Sequence, residues 1–233
     1  MISAKNLSKY YGEKIALDQL TLDIGPGEIF CLLGQNGAGK TTTINCFLGF
    51  TVPSAGKAYV NGLDVAEYPI ESKRHLAYLP EVVILYPNLT GMENLDYFSR
   101  LGGFSHKKEE LRLYLETAGL GITDFDLPVA TYSKGMRQKV GIAIALAKKA
   151  KVLFLDEPTS GLDPKASNDF SSLLLDLRKE GISMLMATHD IFRAKDVADR
   201  IGIMKAGRLV NILDNRDHQL QAKDIEELYL QTI

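Results

Sequence analysis

Residues 29–42 read IFCLLGQNGAGKTT, and the reading of this stretch decides the fold. Ile29 to Leu33 form an uninterrupted apolar run, the pattern of a short strand buried on both faces. The run enters Gly34-x-x-x-x-Gly39-Lys40-Thr41, and a helical pattern follows. A glycine-rich loop between a strand and a helix is the setting of a phosphate site. Glycines let backbone N–H groups wrap a β-phosphate, the helix contributes its positive end, a lysine reaches the β- and γ-phosphates, and a hydroxyl goes to Mg²⁺. Gly34, Gln35, Asn36, Gly37, Ala38 and Gly39 then form the cradle, Lys40 supplies the cation, and Thr41, followed by Thr42, supplies the metal-side hydroxyl.

A nucleotide held with Mg²⁺ also needs a carboxylate on the metal side, and VLFLDE at 152–157 provides one. Val152 to Leu155 read as a buried strand ending in Asp156 and Glu157. At the carboxyl end of such a strand Asp156 holds the metal, directly or through water. The adjacent Glu157 points elsewhere, toward a γ-phosphate where it can polarise a water.

Further strand patterns fall at 183–187 and 201–204, separated by helices, and residues 2–60 are mostly strand-like, broken by the turns GPGE and PSAGK. Asp163-Pro164 is an N-cap with proline at the first helical position, and Gly181 ends that helix. The alternation predicts an α/β fold: a largely parallel sheet with helices on both faces. From 90 to 149 the texture is helical. Thr90-Gly91-Met92-Glu93 is a capping box, and SHKKEELRLYLETAGL is an amphipathic helix ending at Gly119. A third helix begins at Ser133, with Val140, Ile144 and Ala147 at helical spacing and basic residues at its end, and it is expected to be half-buried. Gly135, two residues past the cap, weakens a first helical turn and needs another purpose.

Composition bounds the function. At 233 residues, 45% hydrophobic and 24% charged, the chain can bury a large core. With 27 Lys+Arg against 29 Asp+Glu there is no basic excess, so no nucleic-acid partner is expected. Cys31 and Cys46 read as small core residues. The N-terminus has no apolar signal region and no stretch reaches about 18 apolar residues, so a cytoplasmic chain that crosses no membrane is expected. His75, His106 and His218 show no ligand spacing and are expected to be solvated.

Taken in order, GQNGAGKT, YLPE, YSKGM, VLFLDEPTSGLD and ATHD resemble, over nearly the whole length, the nucleotide-binding subunit of an ATP-binding cassette (ABC) transporter. The resemblance implies a single cassette over 1–233. Residues 1–80 and 150–217 would form a P-loop NTPase (RecA-like) core with an antiparallel β subdomain, 81–149 an inserted α-helical subdomain, and 218–233 a C-terminal helix. It implies an ATPase using ATP and Mg²⁺ that closes head to tail with a second copy or a related cassette. The dimer would drive a separate integral membrane permease, of exporter type, from the cytoplasmic face of the membrane.

Residue by residue, the resemblance makes Ser133 and Gly135 part of a signature aimed at the γ-phosphate of the partner copy. Glu157 activates water, while His189 and Lys40 stabilise the transferring phosphoryl group. Asp163 acts across the dimer as well as capping its helix, and Tyr11 stacks on adenine with Tyr10 as the competing candidate. Glu81 stands where the family usually has a glutamine that links nucleotide to permease; it can still accept a bond from metal-bound water. Lys134 replaces a glycine and Met136 a glutamine in the commonest signature, and Lys134 either adds charge near the phosphate or is solvated. Val82 to Leu85 either packs in the core or offers a docking surface to the permease. Two other classes remain: a soluble cassette ATPase, which would usually carry a coiled-coil insertion or tandem cassettes, and a P-loop small-molecule kinase, which needs an acceptor pocket and a lid.

Overall fold

The apolar run becomes β3 (Ile29–Leu33), every residue of which is buried. The computed structural model describes residues 1–217 and 219–232. Ahead of β3, β1 (Ile2–Tyr11) and β2 (Lys14–Ile24) form an antiparallel hairpin. β1 also pairs with β4 (Ala55–Val60), which turns through Asn61-Gly62, both at positive φ, into β5 (Leu63–Asp64). This first sheet runs β2-β1-β4-β5. The second sheet contains β6 (Leu76–Leu79), β7 (Val152–Asp156), β8 (Ser183–Thr188), β9 (Arg200–Lys205) and β10 (Arg208–Asp214), in the order β10-β9-β3-β8-β7-β6. All its pairings are parallel except that of the edge strand β10.

The helices are α1 (Lys40–Phe47), α2 (Pro69–Arg74), α3 (Gly91–Leu101), α4 (Lys108–Thr117), α5 (Lys134–Ala147), α6 (Pro164–Lys179), α7 (Ile191–Val197) and α8 (Ala222–Thr232). Helices α3 to α5 leave and re-enter the sheet between the neighbouring strands β6 and β7, so the helical lobe is an insertion. Thr90 and Glu93 form the capping box of α3, Asp163 Oδ1 accepts the Ala166 N–H at 2.9 Å to cap α6, and Gly181 follows α6 at φ 89°.

The two faces of β3 serve different cores. Ile29, Cys31 and Leu33 join the apolar cluster that includes the helical lobe and α6, whereas Phe30 and Leu32 join the one beneath the antiparallel sheet and α1. A strand buried on both sides needs apolar residues at every position. Cys31 and Cys46 are buried free thiols, and burial pushes Cys46 up to about 11.

Two expectations need correction. Helix α5 is buried around most of its circumference, at Val140, Ile142, Ala143, Ala145 and Ala147, because β6, α3, α4 and α6 all pack on it; Lys148 and Lys149 lie past its end. His106 is half-buried rather than solvated, its Nε2 2.9 Å from the Ala147 carbonyl, one of the acceptors that the end of α5 leaves without a helical partner. His75 is also half-buried, and His218 lies outside the described residues.

A candidate nucleotide site at the strand ends

Because β3, β8 and β7 are parallel neighbours, their carboxyl ends lie side by side. The loop after β3 and the Asp156-Glu157 pair at the end of β7 therefore meet, at the edge of the sheet where open α/β folds bind ligands, while His189 after β8 lines an adjoining pocket and reaches the site through Glu157. The loop admits no larger residue at two points. A Cβ on Gly34 would lie 2.7 Å from the Met204 carbonyl, and Gly39, at φ 110°, would carry one 2.6 Å from the Ala16 carbonyl. Lys40, only 5% exposed, folds back to donate to the carbonyls of Gly34 at 2.6 Å and Gln35 at 3.3 Å. Thr41 Oγ1 donates to Asp156 Oδ1 at 3.3 Å.

These groups border a cleft of about 260 Å³ whose wall includes Tyr11, Gln35, Lys40, Thr41, Asp156 and Glu157. Asn36, Gly37, Gly39, Thr42 and Glu81 line it too, while Gly34 and Ala38 are buried and do not line it. Tyr11 faces the cleft and Tyr10 does not; the Tyr10 N–H instead bonds Ser54 Oγ at 3.0 Å. Lys14 and Ala16 also line it, which sequence reasoning missed. The available signal was the Gly12-Glu13 turn, which sets Lys14 opposite Tyr11 across the hairpin.

Glu157 has a left-handed backbone, φ 47°, a conformation that costs a non-glycine residue on the order of 1 kcal/mol. The bend carries its carboxylate away from the line of β7. Oε2 accepts from Thr188 Oγ1 at 3.2 Å and lies 3.0 Å from His189 Nδ1. Oε1 is buried without a hydrogen bond, and Lys40 Nζ stands 3.6 Å away. Burial lifts the Asp156 carboxyl above the usual carboxylate range; the Glu157 and Glu81 charges add to the rise, and the Thr41 hydrogen bond and Lys40 oppose it.

Ser133, Gly135 and Asp163 do not reach this cleft. They line a separate groove of about 130 Å³ between α5 and α6. Ser133 Oγ accepts the Met136 N–H at 3.2 Å, capping α5. Gly135 leaves ordinary contact distances to Ala166 and Leu162, where a Cβ would find 3.5 and 3.7 Å. Lys134 is neither free nor fully solvated: its Nζ donates to the Ser160 carbonyl at 2.6 Å and stands 3.9 Å from Glu81 Oε1. The apolar loop divides, with Ile84 83% exposed and Leu85 8% exposed in the core.

The profile described as ABC transporter matches residues 17–160. The chain belongs to the ABC transporter family. Human ATP-binding cassette sub-family A member 2 is 39% identical over 215 residues, 90% of this chain but 9% of that protein. The linearmycin resistance ATP-binding protein of Bacillus subtilis is 33% identical over 214 residues, 91% of this chain and 68% of the relative. The chain thus spans less than a tenth of the length of the human relative and about two thirds of the bacterial one. Among solved structures, an ATP-binding subunit of an ABC transporter matches with a TM-score of 0.85 at 31% identity, over 99% of this chain and 98% of that one. A dimeric ATP-binding cassette in a post-hydrolysis state, bound to ADP and Pi, matches with a TM-score of 0.81 at 26% identity, over 92% and 98%. The chain is an ABC ATPase cassette with the expected P-loop NTPase fold. None of the helices among its described residues is long and apolar enough to cross a membrane.

Proposed function

We propose that this cassette hydrolyses ATP as one half of a head-to-tail dimer, and that the dimer drives export through a separate membrane permease from the cytoplasmic face of the membrane. Glu157 carries the hydrolytic part of this reading. Thr188 and His189 hold one of its carboxylate oxygens, while the other is buried, without a hydrogen bond, on the wall of the cleft. A carboxylate fixed in that way can accept a hydrogen bond from water and draw off its proton as it attacks a γ-phosphate.

Mg²⁺ fits the donors present. The Thr41 hydroxyl and the Asp156 carboxylate are hard oxygens 3.3 Å apart, and the raised proton affinity of Asp156 marks a charge that a cation would relieve. Among the described residues no group of three or more His, Cys, Asp or Glu could hold a metal alone, which suits an ion that keeps waters and takes phosphate oxygens. When bound, the ion neutralises phosphate charge. Thr41 and Asp156 would hold it, with Glu81 on the cleft wall accepting from its water. Lys40 exchanges its loop carbonyls for phosphate oxygens, His189 donates to the transferring group, and Tyr11 stacks on adenine.

Because Ser133, Gly135 and Asp163 open on a different groove, we assign them to the second subunit's nucleotide. The dimeric cassettes among the similar structures support that arrangement. Export is supported by relatives named for linearmycin resistance and as a probable multidrug transporter, and docking by the exposed Val82 and Ile84. The test is Glu157→Gln, which keeps shape and loses basicity: kcat should fall at least about 10²-fold with nucleotide affinity retained. Turnover at the parent rate would refute the assignment.

A further inference from the structure

The loop after β6 lies along one face of α5. Lys134, Gln138 and Gly141 follow at i, i+4 and i+7, positions that share a side of a helix. The fully buried Gln138 donates its amide to the Glu81 carbonyl at 3.3 Å. Gly141 brings Leu79 so near that a Cβ there would lie 2.4 Å from Leu79 Cδ1. Lys134 completes the row, donating to the Ser160 carbonyl at 2.6 Å and standing 3.9 Å from Glu81 Oε1. The same Glu81 oxygen accepts the Ser160 hydroxyl at 2.8 Å. Three segments, the loop after β6, the start of α5 and the loop after β7, are therefore joined by side chains. Glu81 also lines the phosphate cleft, and its charge is one of those that raise Asp156.

We propose that Lys134 is a positioning residue which, with Ser160, clasps Glu81 at the wall of the phosphate cleft until a magnesium nucleotide opens the clasp. The proposal rests on the reading of Glu81 as a nucleotide-facing residue. One carboxylate cannot satisfy both sets of partners, so filling the cleft releases the Ser160 hydroxyl and the Lys134 ammonium group from Glu81, leaving Lys134 on the Ser160 carbonyl alone. Occupancy is thereby passed, within one chain, to the first turn of α5 and to the 158–162 loop. The clasp depends on the charge of Glu81: an amide could still accept from Ser160 but would not attract the ammonium group. The side chains of Lys134 and Glu81 are 30% and 53% exposed, so their attraction is weak and reversible.

A double-mutant cycle tests the clasp, with the Mg²⁺ complex of a β,γ-imido ATP analogue titrated calorimetrically into the parent, Lys134→Ala, Glu81→Gln and the double variant. Lys134→Ala should tighten binding about threefold in the parent and leave it unchanged in the Glu81→Gln background, with Lys134→Arg behaving as the parent does. In the nucleotide-free chain, Lys134→Ala should speed amide exchange at Ser160 and Leu162 severalfold, the change that the magnesium analogue produces in the parent. Both side chains lie at the surface, so the variants should melt within about 2 °C of the parent. Weaker binding in Lys134→Ala, or an equal effect in both backgrounds, overturns the clasp. If Glu81→Gln alone leaves affinity and its Mg²⁺ dependence unchanged, the nucleotide-facing reading of Glu81 fails and the clasp with it. If Glu81→Gln shifts affinity without coupling to Lys134, the clasp alone fails.

Discussion

Ile84→Asp and Leu85→Asp introduce the same charge at adjacent residues, and the structure assigns them opposite outcomes. Leu85 is 8% exposed and belongs to the apolar cluster that contains Leu79, Met92 and Leu95. Removing a leucine side chain from such a place costs about 2–5 kcal/mol, and a carboxyl group left there without a partner adds roughly 1–3 kcal/mol. The sum is at least about 3 kcal/mol. In a chain of this length each 1 kcal/mol shifts Tm by roughly 2–4 °C, so Leu85→Asp should melt at least about 6–12 °C below the parent. Ile84 is 83% exposed, and a change there should stay within about 0.5 kcal/mol. Thermal unfolding followed by circular dichroism, with urea midpoints as a second measure, compares the two directly. Ile84→Asp should retain ATPase activity while weakening association with the membrane partner. If the two variants melt together, the division of this loop into a buried and a presented residue is wrong.

Two further predictions follow from the site. A Cβ at Gly135 meets only ordinary contact distances, so Gly135→Asp should fold and bind nucleotide in its own cleft, yet fail to hydrolyse it because its carboxylate opposes the partner's γ-phosphate. Mixed with Lys40→Ala, which has the converse defect, it should recover about a quarter of parent activity, since roughly half the dimers are mixed and each has one competent site of two; Gly135→Asp subunits that hydrolyse normally would remove the trans assignment. Asp156 binds its proton more tightly folded than unfolded, so its ionisation opposes folding, increasingly as pH rises from the ordinary carboxylate range, about 3.9, through the raised value. Asp156→Asn should therefore raise the Tm of the nucleotide-free chain at pH 7, lose that advantage below the ordinary range and abolish Mg²⁺-dependent ATPase; equal melting at pH 7 refutes the account.

Features set by near neighbours in the chain were legible in the sequence. Gly34 to Thr42 carries its own strand and helix signals, and Thr90 with Glu93, Asp163 with Pro164, and Ser133 are caps whose partners lie within one turn. Asp156 and Glu157 were placed because a short apolar strand ends at them. Contacts between distant segments left no such trace. Nothing near Lys134 in sequence points to Ser160 or Glu81, because the angle at which α5 meets the strands sets that approach. The division between Ile84 and Leu85 depends on which side of an irregular loop meets the helical lobe, and an apolar run without periodicity does not encode that. His106 looked solvated because its partner, the end of α5, is remote in the chain.

The position of β3 has a consequence for biosynthesis. Its partners are β8 and β9, with Ile29 beside Met184 and Leu33 beside Ile203, and the Ile29 N–H is held by Asp199 Oδ2 at 2.9 Å. The β1–β2 hairpin can close as soon as it is made, but the strand that carries the phosphate loop has no neighbour until β8 is made, roughly 150 residues later, and its second, β9, follows after that. At about 5–20 residues per second that interval is on the order of ten seconds or more. Throughout it the nascent chain contains the glycine-rich loop, and for part of it Asp156 as well, but no sheet to hold them together. ATP cannot stabilise so early an intermediate, and the apolar run 29–33 is exposed as an unpaired strand for the whole interval. The ligand that the finished cassette binds therefore cannot guard that segment before β8 and β9 are in place.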